Sequence, residues 1–184
     1  MNNNPVKKCI LLFAALIVLI VAGVLSCSTE DDGPVGEPGF GIYLADTGEL
    51  VLSEHHIKAY HRNVHLTVSE EEDTHAIELN KSGIEKWNSY MTREDAPKLR
   101  ETLYQRDFIV KVEGKEIYGG KFYSMLSSTT YDGIVILDAV VKLDEERNRI
   151  YICNGYVTVP PPSEEDLRNS PEVIDFMDKQ GLLK

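Results

Sequence analysis

Apolar and polar positions divide the chain into a leader, a polar segment and a long region that reads as ordered. Residues 9–25 contain no charged side chain and follow Lys7 and Lys8, and a basic start before an apolar stretch is typical of a secretory signal. Residues 28–39 are polar, acidic and rich in glycine and proline, so we expect a flexible tether. The pattern predicts three parts: a signal peptide or membrane anchor over 1–26, a tether over 27–39 and an extracytoplasmic domain over 40–184.

A period of two in the apolar residues predicts strands through most of residues 40–159. Phe108, Val110 and Val112 alternate with polar residues before Glu113-Gly114, which predicts a β-hairpin. The other predicted strands are FGIYLAD (from Phe40), ELVLS (from Glu49), IKAYHRNVHLTV (from Ile57), THAIEL (from Thr74), YDGIVILDAVVKL (from Tyr131) and RIYICNGYVTV (from Arg149).

Helical spacing occurs in three shorter segments. Ile84, Trp87 and Met91 recur at intervals of three and four after Asn80, a good N-cap residue. A last helix is predicted to begin at Ser170-Pro171 and to end near Gly181, and a weaker one covers 92–105. Together these elements predict a single small α+β domain, with a mixed or antiparallel sheet and two or three helices on one side.

The end of the apolar leader carries a lipidation motif. Val24-Leu25-Ser26-Cys27 resembles the lipobox of bacterial lipoprotein signals. In those proteins the cysteine is lipidated and becomes the first residue of the mature chain. The resemblance implies lipidation of Cys27 and a lipid-anchored domain on the extracytoplasmic side of the cell membrane or outer membrane. Two alternatives stay open: cleavage with secretion, and an uncleaved transmembrane helix, since residues 9–25 would span about 25 Å.

Charge and cysteine content exclude some classes of protein. The net charge of −11 becomes −13 when Lys7 and Lys8 leave with the leader, and nucleic-acid binding needs a basic surface. We therefore expect no nucleic-acid partner. Cys9 lies in the leader and Cys27 at the lipidation motif, so the mature domain has no disulfide framework. Cys153 lies in an apolar stretch and is predicted to be buried in the core.

The five histidines fall between residues 55 and 75, which raises a metal-binding hypothesis. His61 and His65 would share one face of a helix and could bind a single ion there. The pattern favours a strand, however, where residues four apart are separated by about 13 Å. A solvated strand face is therefore the preferred interpretation. A metal-binding envelope protein that uses the His55–His65 cluster, which also contains His56, is the alternative.

Motifs for catalysis are absent from the sequence: there is no nucleophile elbow, phosphate loop, zinc-protease motif or dinucleotide fingerprint. A hydrolase built on Ser124, Ser127 or Ser128 stays open, but no motif places these serines beside a histidine and a carboxylate. Tyr118 and Tyr131, each close to glycine, would line a cleft or, more simply, mark a bulge and a strand entry. We expect a non-enzymatic protein without a cofactor.

The run THAIELNKSGIEKWNSY resembles the head of the first large extracytoplasmic domain of SecD, a protein-export subunit. That region has a strand ending in leucine, a polar turn with glycine and a helix whose aromatic residue packs on a sheet; the counterparts are Leu79, Ser82-Gly83 and Trp87. FIVKVEGKEIYGGKF, YSMLSSTTYDG and IVILDA continue the similarity within residues 52–139, and the insertion around MTREDAPKLRE departs from it. The resemblance implies a small α+β head that contacts polypeptide or partner proteins, without catalytic residues. The predicted function is a protein-binding or accessory module at the cell envelope.

Overall fold

The fold is built on one eight-stranded β-sheet. The computed structural model describes residues 38–65, 74–91, 102–137, 139–157 and 166–184, which belong to one compact unit, Glu37–Lys184. The strands are β1 (Phe40–Leu44), β2 (Leu50–Ser53), β3 (Ile57–Val64), β4 (Thr74–Leu79), β5 (Asp107–Val112), β6 (Lys115–Phe122), β7 (Tyr131–Ile136) and β8 (Arg149–Tyr156).

The sheet is mixed and curled. Its strand order is β2-β1-β5-β6-β7-β8-β4-β3, and β6 and β7 are the parallel pair in an otherwise antiparallel arrangement. The edge strands β2 and β3 are consecutive in the chain, separated by the 3-10 helix Glu54–His56. Because this helix spans only about 6 Å, the two edges of the sheet must lie near each other.

Two α-helices occur in the described part of the chain: α1 (Lys81–Ser89) and α2 (Pro171–Lys179). Asn80 caps α1, since its side-chain oxygen accepts a hydrogen bond from the Gly83 N–H at 3.0 Å. Ser170 caps α2 in the same way, and Pro171 occupies the first turn, where its missing N–H costs nothing. Gly181 follows α2 with φ of 68°, the left-handed conformation in which helices commonly end.

The main core lies on the inner, concave face of the sheet. Alternate residues of the strands point there, and buried residues of both helices belong to the same cluster. Trp87 of α1 is fully buried; its ring meets Phe122 of β6 edge-on, with centroids 6.2 Å apart. The Trp87 Nε1–H donates to the Val141 carbonyl at 3.2 Å. The core therefore consists of one sheet face and the apolar sides of two helices.

The predicted α+β class is confirmed in outline, with much sheet and few helices, while one predicted strand is shorter than expected and the predicted end of one helix is wrong. The strand from Tyr131 was expected to reach Leu143, but β7 ends at Ile136. The backbone beyond it bonds to helix α1 instead: the Asn88 side chain both donates to the Leu143 carbonyl and accepts from its N–H, at 2.8 and 2.9 Å. Residues 102–105 form turns rather than the end of a helix, and residues 92–101 lie outside the described ranges.

Candidate functional site

The outer face of β7 and β8 carries a second apolar cluster, separate from the main core. Side chains alternate along a strand, so Ile134 and Ile136 of β7 join the inner core while Val135 points outward. Val135, Leu137, Cys153 and Tyr123 are buried in this outer cluster, and Tyr131, Tyr151 and Tyr156 pack against them. The predicted burial of Cys153 is confirmed, at 3% exposure.

Tyr123 is the centre of a group of four rings, named here the tyrosine cluster: Tyr104, Tyr123, Tyr131 and Tyr156. The Tyr123 ring centroid lies 5.0 Å from that of Tyr156, 5.9 Å from Tyr104 and 6.0 Å from Tyr131. Tilted and offset pairs at such distances stabilise a structure by about 0.5–1.5 kcal/mol beyond the area they bury. The rings cover one another, with no helix packed over them in the described residues.

The connection between β6 and β7 lies against the tyrosine cluster. The strands are parallel, with Lys121 opposite Val135 and Phe122 opposite Ile136, so the chain has to return along the sheet before β7 begins. Residues 123–130 make this return, although parallel neighbours usually need a dozen or more residues. A short connection has little freedom, and its position over the outer face brings its backbone within reach of the tyrosine hydroxyls.

Three tyrosine hydroxyls bond to this connection. The Tyr156 hydroxyl lies 2.9 Å from the Met125 carbonyl and 3.1 Å from the Ser127 carbonyl, and donates to them. The Tyr104 hydroxyl donates to Ser127 Oγ at 3.0 Å, and the Tyr123 hydroxyl lies 2.5 Å from Thr129 Oγ1. The Tyr156 hydroxyl thus holds the backbone of the connection directly, and the other two hydroxyls hold side chains of the connection.

The centre of the connection is a β-turn over residues 124–127, named here the Met125–Leu126 turn. The Ser127 N–H donates to the Ser124 carbonyl at 2.9 Å, and the Leu126 N–H donates to Ser124 Oγ at 3.2 Å. Its two central positions hold Met125 and Leu126, which are 40% and 88% exposed, whereas such positions usually hold glycine, proline, asparagine or aspartate. The fold therefore presents two apolar side chains to solvent on a fixed backbone.

Val157, which follows Tyr156 at the end of β8, adds a strained apolar residue beside the tyrosine cluster. It is 77% exposed and has φ of 60°. A β-branched residue in this left-handed region is a genuine outlier and costs on the order of 1–3 kcal/mol. Strain of this size tends to concentrate at functional sites, and here it falls next to the residue that holds the turn.

The run of residues that contains the turn is uncharged. Residues 123–131, YSMLSSTTY, contain no Asp, Glu, Lys or Arg, in a chain in which 27% of residues are charged. Charges border this run: the Lys121 ammonium lies 5.9 Å from the centroid of the Tyr131 ring and pairs with Asp107 at 2.5 Å, and the exposed Asp132 follows Tyr131. Contacts made through this turn would be apolar in character.

The histidines of the metal hypothesis occupy different environments. His75 is buried, with Nδ1 2.9 Å from the Tyr60 hydroxyl, and His56 Nδ1 bonds to the backbone and side chain of Ser53. His55 and His65 are exposed. His61 has one carboxylate neighbour, Glu78, at 3.1 Å. Across the described ranges, no group of three His, Cys, Asp or Glu side chains is arranged to hold a metal ion.

Glu78 is the centre of a charged group on β3, β4 and β8. Its carboxylate lies 2.7 Å from the Lys58 ammonium and 3.1 Å from both His61 Nε2 and the Arg149 guanidinium. The Lys58 hydrogen bond chiefly lowers the pKa of Glu78, to about 2, and the bonds from His61 and Arg149 add to this against the opposing effect of burial. An anionic Glu78 therefore links three neighbouring strands.

A second polar group lies inside the fold, next to the 3-10 helix Leu167–Asn169. The guanidinium of Arg168 is 2% exposed, donates to both carboxylate oxygens of Asp166 and reaches the Ile152 carbonyl at 3.0 Å. Burial raises the pKa of Tyr60 and of Tyr118 well above the usual range. Arg168 thus bonds to Asp166 and to strand β8, and the Tyr60 hydroxyl bonds to His75, which is the arrangement expected of a structural polar cluster.

The serines of the hydrolase alternative belong to the turn. Ser124 is buried and accepts the Leu126 N–H, and the Ser127 hydroxyl bonds to Tyr104 and Thr129. Ser128 is exposed. Sequence reasoning considered this run for its hydroxyls and missed its two apolar residues. The signal that could have identified the site was an uncharged run with Met-Leu at its centre and a tyrosine at each end.

Comparisons with known proteins give no relative, since no protein-family model, no curated protein and no solved structure matches the chain.

Cys27 and the predicted signal over 1–26 lie outside the described residues. Within the described ranges, no helix has the length and apolar character needed to cross a membrane. Lipidation of Cys27, the extracytoplasmic location and the likeness to SecD therefore stay predictions.

Proposed function

We propose that this chain is a lipid-anchored extracytoplasmic protein that acts as a non-enzymatic binding module for a protein partner at the cell envelope. Its contact surface is the Met125–Leu126 turn, and Val157, which follows the tyrosine that holds this turn, is a further exposed apolar residue. The lipobox at Cys27 and the polar tether after it support the anchor, and the resemblance to the SecD head supports a polypeptide as the partner.

One observation carries the proposal: Leu126 is 88% exposed, yet the backbone on both sides of it is held by the Tyr156 hydroxyl. A single exposed leucine needs no explanation on its own. A leucine on a hydrogen-bonded backbone is different, because the entropy lost on ordering a loop is a main cost of binding. Here folding has already ordered the backbone of the turn, which favours association through it.

The described side chains also bear on the choice between this proposal and metal binding. A binding module predicts aromatic residues exposed on one sheet face, and a metal site predicts histidines that converge. Four tyrosines gather on the outer face, three of them partly exposed, whereas His56 and His61 have different neighbours, Ser53 and Glu78. The arrangement of the described side chains supports the binding module.

A crosslinked pull-down from envelope fractions tests the binding claim. We expect the full chain to recover a protein well above background and Leu126→Asn to lose most of that recovery. Leu167→Asn is the matched control, because Leu167 is also an exposed leucine, at 41%, on a different element. Recovery of nothing above background, or equal recovery by Leu126→Asn and wild type, would contradict the proposed contact surface.

Intact mass of the membrane-extracted protein tests the anchor independently. We expect a mature chain that begins at Cys27 and carries diacylglycerol and acyl additions. A full-length mass would instead indicate an uncleaved membrane helix over residues 9–25, and an unmodified shorter chain would indicate secretion.

A further inference from the structure

The contact surface presents Leu126 to solvent, and the tyrosine hydroxyls next to it are already bonded. Leu126 projects from the tip of the Met125–Leu126 turn, while the hydroxyls of Tyr104, Tyr123 and Tyr156 bond within the molecule. The tyrosines consequently offer a partner few hydrogen bonds. What remains available at the tip is an apolar projection of defined shape, rather than a groove that could hold an extended peptide.

We propose that Leu126 inserts into a pre-formed, uncharged apolar pocket on the partner protein. The inference rests on the proposed function and adds the chemistry of the partner. Charge supports it: residues 123–131 lack charged side chains in a chain of net charge −11, so a pocket lined by ionic groups would lose their hydration without gaining a counter-charge. An apolar pocket matches what this turn presents.

A protein pocket fits the turn better than a lipid surface does. A fluid bilayer accepts an apolar side chain in any orientation, so a fixed backbone gives no advantage there. A pocket of fixed shape binds a turn more tightly when the backbone of that turn is already ordered, because less entropy is lost on binding. Moreover, one short apolar projection contributes little to membrane binding, which usually needs two strong signals, and the lipid at Cys27 would already supply one.

Tyr156 is then a positioning residue. Its hydroxyl holds the carbonyls of Met125 and Ser127, on either side of Leu126, and the strained Val157 follows it directly. Tyr156→Phe keeps the ring and the Leu126 side chain but removes both hydrogen bonds. The turn would then sample other conformations and fill the pocket less often.

The test places a photocrosslinking residue, benzoylphenylalanine, at Ser128 of the full chain in its own cells. Ser128 is exposed and two residues from Leu126, so the leucine itself can be varied. We expect one protein adduct. Its yield should stay within about threefold for Leu126→Met, because Met has a similar volume. It should fall by roughly 10- to 100-fold for Leu126→Ala, which leaves the pocket unfilled, and also for Leu126→Trp, which overfills it.

The outcomes distinguish a failure of the pocket inference from a failure of the proposed function. Equal adduct yield across the Leu126 series would overturn the pocket while leaving the proposed function in place. No adduct from any variant would overturn both. A higher yield of lipid adducts for Leu126→Trp, with binding of the purified protein to phosphatidylethanolamine–phosphatidylglycerol vesicles, would assign the turn to the bilayer and overturn the pocket. Tyr156→Phe should reduce the adduct yield, and the control Leu167→Asn should not.

Discussion

The two faces of the sheet bury their aromatic residues in different ways. On the inner face, Phe122 of the sheet meets Trp87 of helix α1 in an apolar core. On the outer face, Tyr123 is buried by other tyrosines and by the connection between β6 and β7. The inner arrangement contributes mainly to stability. The outer one also directs hydroxyls at a backbone turn, so it determines the shape of a surface.

The alternation of side chains between the two faces of a strand explains why similar residues take these different roles. Tyr118 of β6 faces the inner core, with its ring 6.4 Å from Phe108, whereas Tyr131 of β7 joins the outer cluster. Both precede glycine-containing segments and look alike in sequence. One-residue differences in register move a side chain to the opposite face, so the same residue type becomes core in one strand and part of the turn support in the other.

The largest expected loss of stability comes from a substitution on the inner face. Trp87→Ala removes a fully buried ring and its hydrogen bond to Val141, and we expect the free energy of unfolding to fall by about 3–5 kcal/mol. Urea denaturation of the purified protein measures this loss. A loss below about 1 kcal/mol would show that the inner face is not the main source of stability.

Glu78 tests whether part of the outer face is stabilised electrostatically. The pKa of Glu78 falls from 4.5 to about 2 on folding, so its contribution is present above pH 4.5 and is lost as the pH falls towards 2. We expect Glu78→Gln to destabilise the protein at pH 7 by about 1–2 kcal/mol, after allowance for solvent screening. The difference between variant and wild type should shrink at pH 2.5.

Glu172→Gln is the matched control for that experiment. Glu172 pairs with Lys115 at 2.6 Å, but both side chains are well exposed, at 42% and 68%, and exposed ion pairs contribute little. Urea midpoints at the two pH values should therefore change much less for Glu172→Gln. Equal pH dependence in both variants would contradict a special role for Glu78.

Loss of the Tyr156 hydroxyl should destabilise the turn more than it destabilises the whole fold. Tyr156→Phe removes two hydrogen bonds to the Met125–Leu126 turn, and a net loss of about 1 kcal/mol is expected. Hydrogen exchange should speed up at the amides of residues 124–127 and stay unchanged in β4. Tyr151→Phe is the control, because Tyr151 packs on the same cluster without supporting the turn; similar exchange in the two variants would argue against a specific support.

Leu126 should matter least for stability. It is 88% exposed, so Leu126→Asn should change the free energy of unfolding by no more than about 0.5 kcal/mol. Thermal unfolding measures this directly, next to Trp87→Ala as the inner-face reference. A loss above about 1.5 kcal/mol would mean that Leu126 is a structural residue, and the contrast between the two faces would fail.

Local patterns were enough to predict most of the fold. The alternation of Phe108, Val110 and Val112 and the Glu113-Gly114 turn predicted the β5–β6 hairpin, and Asn80 with Trp87 predicted α1; all are present. Both signals depend on residues close in sequence. The irregular path after Ile136 could not be predicted in this way, since it depends on Asn88, more than fifty residues earlier.

The candidate site was missed because it is a product of topology. Tyr104, Tyr123, Tyr131 and Tyr156 meet only because β6 and β7 run parallel and β8 pairs with β7. No sequence spacing indicates that a short connection will return across the outer face. The histidines illustrate the reverse case: His56 and His61 are close in sequence, yet they bond to different partners, Ser53 and Glu78.

The most direct test of the central claim is thiol labelling beside the turn. Ser128→Cys places an exposed thiol next to an intact Leu126, while Cys153 is buried and reacts slowly. Thr47→Cys, in another exposed turn, is the control. A maleimide should label both engineered thiols rapidly in the purified protein. In envelope membranes, Ser128→Cys should be protected, and adding Leu126→Asn should restore its labelling. Equal labelling of Ser128→Cys in purified protein and membranes, with or without Leu126, would contradict the claim that this turn is a binding site.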